Sequence, residues 1–219
     1  DDDPEGMGLA RTSAKSSRTI PFNDLEALAD ALAASPVAAV ISEPVMTNCG
    51  LVLPEPTFHA ELRRLAHDAG ALVISDVTHT QFAVLGGGLA HFDVRPDVVV
   101  GGKGIGGGVP VGVVGMTRQL ADFMESHLDG YNAQHGVVAG GTLYGNALSL
   151  TAARAGLQQV FTPEAYARVD RLGARLQEGL QRLCGERGLP MSIDRWGGRS
   201  QWRLTAQPPV TGEDGFVSA

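Results

Sequence analysis

At 219 residues, with 43% hydrophobic and 19% charged residues, the chain is long enough to bury a sizeable core and to form one or two domains. A formal net charge of −7 excludes the basic footprint of a nucleic-acid binder, and no apolar run approaches the length of a membrane span. Two cysteines, Cys49 and Cys184, offer no disulfide framework and imply a reducing cytoplasm; Asp1-Asp2-Asp3 does not read as a signal peptide.

Residues 1–20 are polar, mixed and without a period, and read as irregular. Asn23-Asp24 caps a predicted helix from Leu25 to Ala34, with Leu25, Leu28 and Leu32 on one stripe and Ser35-Pro36 as its stop. Residues 37–41 read as a short buried strand leading into Ser42-Glu43-Pro44. After a loop holding Pro54 and Pro56, Phe58 to Ala69 has helical spacing and Gly70 ends it. Residues 71–75 read as a second buried strand, closing on Asp76. Residues 77–95 read as a glycine-rich connection, 98–100 as a third strand and 111–116 as a fourth. A helix is expected from Thr117 to His127, then a Gly/His/Tyr-rich loop to Asn146, then a helix from Ala147 to about Val160. Thr162-Pro163-Glu164 opens another helix, running to about Gly185. Residues 188–195 and 200–204 read as strands of a second, smaller domain. The division expected is an irregular stretch at 1–20, a large domain at 21–146, and a linking helix with a small C-terminal domain at 147–219.

Strand, helix, strand, crossover, strand is the pattern of an α/β fold: a mostly parallel sheet with flanking helices, here with part of a small α+β domain after it. Such sheets place their ligand sites at the carboxyl ends of the strands. Glu43-Pro44, Asp76 and the Lys103 loop all stand at such ends. A glycine content of 29 with 5% aromatics suits an enzyme of this class with glycine-rich ligand loops.

Lys103 is the most informative residue. It follows the apolar run Asp97-Val98-Val99-Val100 and lies among six glycines, Gly101, Gly102, Gly104, Gly106, Gly107 and Gly108. Glycine removes side-chain bulk so that backbone can pass close to a ligand. A lysine held in a tight, partly desolvated place loses its charge more readily, and a neutral amine can attack a carbonyl. The bland alternative is a solvated lysine in a flexible loop. Asp76 needs a partner at a buried strand end. That partner is a helix cap or ion pair on the structural reading, and a protonated pyridine nitrogen on the functional one.

Four blocks carry a resemblance. They are residues 43–48 (Glu-Pro-Val-Met-Thr-Asn), 70–76 ending on Asp76, 96–110 around Lys103, and 141–146 (Gly-Thr-Leu-Tyr-Gly-Asn). Together, over roughly residues 22–206, they resemble class III aminotransferases, with the greatest likeness to glutamate-1-semialdehyde aminomutase and related fold-type-I enzymes. The resemblance implies pyridoxal 5'-phosphate as cofactor and a partial fold-type-I large domain. It implies Lys103 as the Schiff-base lysine and Asp76 as the group holding the pyridine nitrogen. It further implies Thr78 against one ring face with His79 nearby, and Asn48 near the ring hydroxyl or the substrate. Thr142 would reach the cofactor phosphate in a partner subunit, so a homodimer acting on a small amine or amino acid is expected. Two departures stand out. Val77 replaces the glutamate usual after the aspartate, with Thr78-His79-Thr80 following. Family members also run to about twice this length, so the chain looks like an internal segment; the missing parts would supply a phosphate-cupping loop, a ring-stacking aromatic and the rest of the small domain.

Other motifs fit less well. Gly102-Lys103-Gly104-Ile105-Gly106-Gly107 fits G-x-G-x-x-G, the mark of a dinucleotide-binding oxidoreductase domain, but Pro110 and a β-rich run follow where a helix should start. A Walker A loop fails because Asp97 sits where the first glycine belongs and Gly104 replaces Ser/Thr. His67, His79 and His91 lack ligand spacing, so no metal is expected, and His67 reads as a solvated helix residue. Cys49 reads as buried filler, and Trp196 and Trp202 as small-domain packing. A catalytically inert fragment or partner subunit is the remaining alternative.

Overall fold

A computed structural model of the chain describes residues 16–127 and 140–204. The expected loop from His135 lies partly outside these residues, as do the start and end of the chain. Helix α1 (Leu25–Ala34) begins where Asp24 accepts the Ala27 N–H at 2.8 Å. Strand β1 (Ala39–Ser42) follows, then α2 (Phe58–Asp68), β2 (Leu72–Asp76), a short α3 (Gly87–His91), β3 (Val98–Gly102) and β4 (Gly112–Met116). The sheet order is β1-β2-β3-β4, with the first two pairings parallel and β3–β4 antiparallel. Because β1, β2 and β3 run the same way, Ser42, Asp76 and Gly102 end on one edge of the sheet. α1 and α2 cover one face through a core of Phe22, Leu28, Phe58, Leu62, Ala66 and Val73.

Beyond β4 come α4 (Arg118–His127), α5 (Ala147–Ala155) and α6 (Pro163–Arg187). A hairpin follows, β5 (Ser192–Trp196) and β6 (Arg199–Arg203), paired antiparallel in a separate sheet. Asn146 and Thr162 cap α5 and α6 by accepting from Ser149 N and Ala165 N.

Several sequence expectations change. The connection at 77–95 contains α3, which Gly86 (φ 80°) and Gly87 (φ 66°) start in left-handed geometry that periodicity does not reveal. The helix expected to Val160 is α-helical only to Ala155, and residues 156–160 widen into a π-turn. The strand expected from 188 starts at Ser192, since Gly188 (φ 61°) is the C-cap of the longer α6. His67 is exposed on α2, as expected, and its Nε2 also lies 2.9 Å from Asp97 Oδ2. That same oxygen accepts Val73 N–H at 2.8 Å, so the pair ties α2 to the strand starts. Cys49 is half-buried rather than buried, Cys184 is buried, and neither is in a disulfide. Trp196 is buried against Phe92 and His91, outside its own hairpin, whereas Trp202 is 47% exposed.

Candidate active site

The site grows from the shared edge of β1, β2 and β3. Lys103 leaves β3 in a 3-10 turn over Lys103–Gly106 and has φ 52°, left-handed geometry rare for a side-chain-bearing residue. The turn is held from several sides. A Cβ on Gly104 would come within 2.8 Å of the Phe82 ring, and one on Gly106 within 2.6 Å of Val111 Cγ1. Phe82 stacks on Phe161 with centroids 4.3 Å apart. Ser149 donates to Pro110 O at 2.8 Å, and Gln81 Nε2 donates to Gly102 O at 2.7 Å. Protein packing alone thus requires glycine at 104 and 106, in addition to the close ligand approach expected from the sequence. Gly107 (φ 59°) and Gly108 (φ 103°) close the turn, with no helix after it.

Lys103 is exposed, unlike the desolvated setting expected. Its Nζ meets His79 Nε2 in a short contact. The other ring nitrogen, Nδ1, lies 2.8 Å from Thr47 Oγ1. Thr47, 5% exposed, donates its hydroxyl to Glu43 Oε2 at 2.5 Å. Arg199 Nη2 donates to Thr47 O at 3.1 Å. Asp76 Oδ1 accepts the Thr78 N–H at 2.8 Å, which pins the carboxylate at the sheet edge and occupies one of its oxygens. Burial pushes the Glu43 carboxyl up, against the Thr47 hydroxyl; nearby Asp76 adds to the rise. Burial, then the positive charges of Arg199 and Lys103, hold the His79 imidazole low, with Asp76 opposing.

Of the residues singled out by sequence, Lys103, Asp76, Thr78 and His79 stand together. Asn48 is exposed one residue beyond Thr47, and Thr142 is exposed in the turn before α5. Sequence reasoning missed Thr47 and Arg199 as site residues. Thr47 had a weak signal, four residues after the strand-end Glu43; Arg199 had none, lying 152 residues from the Thr47 carbonyl it binds. Among the described residues no cluster suited to a metal ion occurs.

A sequence model of the family described as Aminotransferase class-III matches residues 7–198. The chain belongs to the class-III aminotransferase family. It is 39% identical over 208 residues to a glutamate-1-semialdehyde 2,1-aminomutase of Thermomicrobium roseum, covering 94% of this chain and 47% of the relative. A solved glutamate-1-semialdehyde aminomutase from Pseudomonas aeruginosa, in complex with PMP, superposes with a TM-score of 0.86 at 34% identity, over 97% of this chain and 48% of that one. An omega-transaminase from Sphaerobacter thermophilus superposes with a TM-score of 0.85 at 27% identity, over 97% and 48%. The chain thus spans about half the length of the relatives it matches. The dinucleotide-binding alternative gains no support: family and neighbours lead elsewhere, and the glycine motif leads through a 3-10 turn into β4 and opens no α-helix.

Pyridoxal phosphate is the cofactor of this family, and the donor set fits it. An amine stands at β3's end and a carboxylate on the end of the adjacent strand, the group types that its aldehyde and its pyridine nitrogen would need.

Proposed function

We propose that the protein is a pyridoxal-phosphate-dependent aminotransferase or aminomutase acting on a small amino acid or amine. The observation that carries this is the pairing of Lys103 and Asp76 on neighbouring parallel strand ends, in a chain of this family. When bound, pyridoxal phosphate supplies an electron sink for a carbanion beside the substrate nitrogen. Lys103 Nζ is the nucleophile that holds the cofactor and the base that moves the proton once freed. The Asp76 carboxylate keeps the ring nitrogen protonated by its negative charge. We assign Thr78 to the ring face with His79 nearby, and Asn48 to the ring hydroxyl or substrate, from the family resemblance; the contact of His79 with Lys103 adds a role beside the lysine.

We further infer a homodimer in which Thr142 binds the cofactor phosphate of the partner subunit. The exposed Leu143 (77%) and Tyr144 (79%) beside it support an interface there. A cytoplasmic location agrees with two cysteines outside any disulfide, and among the described residues no helix is long and apolar enough to cross a membrane. The division near residue 146 agrees with the two separate sheets.

Borohydride reduction of the cofactor-loaded full-length protein, followed by peptide mapping, tests the reading. Pyridoxyl label is expected on Lys103. Label on another lysine, or none, overturns it.

A further inference from the structure

A run of four side chains leads inward from Lys103, and an ionised Glu43 sets its hydrogen-bond directions. Thr47 has a single hydroxyl proton and gives it to Glu43 Oε2 at 2.5 Å. The Glu43 carboxylate also receives the Thr47 backbone N–H. It therefore acts as the acceptor of both. What Thr47 Oγ1 has left for His79 Nδ1, 2.8 Å away, is a lone pair. So Nδ1 must carry the proton. A neutral imidazole protonated at Nδ1 has a bare Nε2, and that atom faces the Lys103 amine.

We propose that Thr47 and Glu43 are positioning residues: they lock His79 in the Nδ1–H tautomer, so that its Nε2 accepts a proton-bearing Lys103 Nζ and aims the amine. The proposal rests on Lys103 being the reactive lysine. The groups facing His79 are Thr47 and Glu43 from the segment after β1, Asp76 from β2, Lys103 after β3 and Arg199 from β6. Burial and the two positive charges disfavour a protonated ring, which agrees with a neutral acceptor. The proton count closes. When Lys103 gives its proton to Nε2, the ring can pass Nδ1–H to Thr47, and Thr47 its own proton to Glu43. The amine is then neutral, the ring neutral in the other tautomer, and the carboxyl protonated. The upward push on Glu43 suits it to end the chain.

Nitrogen-15 NMR of histidine-labelled full-length protein reads the tautomer without a variant. His79 should be Nδ1–H near neutral pH; an Nε2–H ring overturns the proposal. In Thr47→Val the ring should lose its preference, and the rate at which pyridoxal phosphate is captured at Lys103, trapped with borohydride, should fall about three- to tenfold. Thr47→Ser, which keeps the hydroxyl, should restore both. An unchanged tautomer and capture rate in a folded Thr47→Val protein also overturns it. If label is absent from Lys103 in the parent protein, the proposed function fails and this proposal with it; an Nε2–H His79 with label still on Lys103 overturns this proposal alone.

Discussion

Asp76 is held through Oδ1 by the Thr78 N–H, with β2 and β3 in register at Asp76 and Val100. Removing its charge should leave that turn intact, because an Asn oxygen accepts the same bond. Asp76→Asn is therefore expected to fold and to bind cofactor while slowing proton abstraction by about two orders of magnitude or more. Single-turnover kinetics on the full-length enzyme check this; near-normal turnover would remove Asp76 from its role. His59 carries a second residue-scale prediction. Its Nε2–H donates to Pro44 O at 2.9 Å, next to Glu43, and burial holds the ring below the usual histidine value. The unfolded chain therefore takes up a proton first, and stability drops as pH falls through about 6.5, levelling off below the folded value. Urea midpoints between about pH 7 and 5 should show this slope, and His59→Gln should shrink it. His79, also held low, keeps a remainder.

At the scale of elements, the Lys103 turn depends on packing from residues far along the chain. Phe82 fills the space over Gly104 and stacks on Phe161; Gly156 lies against Ile105 O, where a Cβ would sit at 3.4 Å. Gly104→Ala must displace an aromatic ring that Phe161 fixes. It should cost about 1–3 kcal/mol and lower label at Lys103. Gly115→Ala on β4 meets nothing within 4 Å and should stay within about 0.5 kcal/mol. Denaturant unfolding of the pair, run side by side, separates a packing demand from a general intolerance of side chains.

At the scale of the molecule, the final hairpin is joined to the rest through Trp196, which is 6% exposed and packs on Phe92, His91 and a cluster with Val45, Leu51 and Ala83. Gly197 fits there because a Cβ would fall 2.0 Å from Ala83 O. Trp196→Ala should cost about 3 kcal/mol, and Trp202→Ala about 1 or less, in thermal melts of the full-length protein. The shared-site dimer makes a separate prediction. Thr142→Ala should weaken binding of pyridoxal phosphate about tenfold and leave pyridoxal unaffected, because only the former carries the phosphate. Equal weakening of both in spectral titrations would move Thr142 away from the phosphate.

Features set by local chemistry are legible along the chain. The β-branched runs ending on Asp76 and before Lys103 specified strands, and the Asp24 and Thr162 caps set helix starts, since each is written within a few residues. Their order, four motif blocks included, was enough to expect a parallel sheet with the lysine and the aspartate at one edge. What it left open depends on groups distant in the chain. That Gly104 meets the Phe82 ring, that His67 reaches Asp97 and that His79 reaches Thr47 are set by approaches between residues 22, 30 and 32 apart in the chain. Periodicity and spacing carry no record of such approaches. Only the fold brought Thr47 and Arg199 to the lysine, because a hydrogen bond depends on position in space and not on place in the chain.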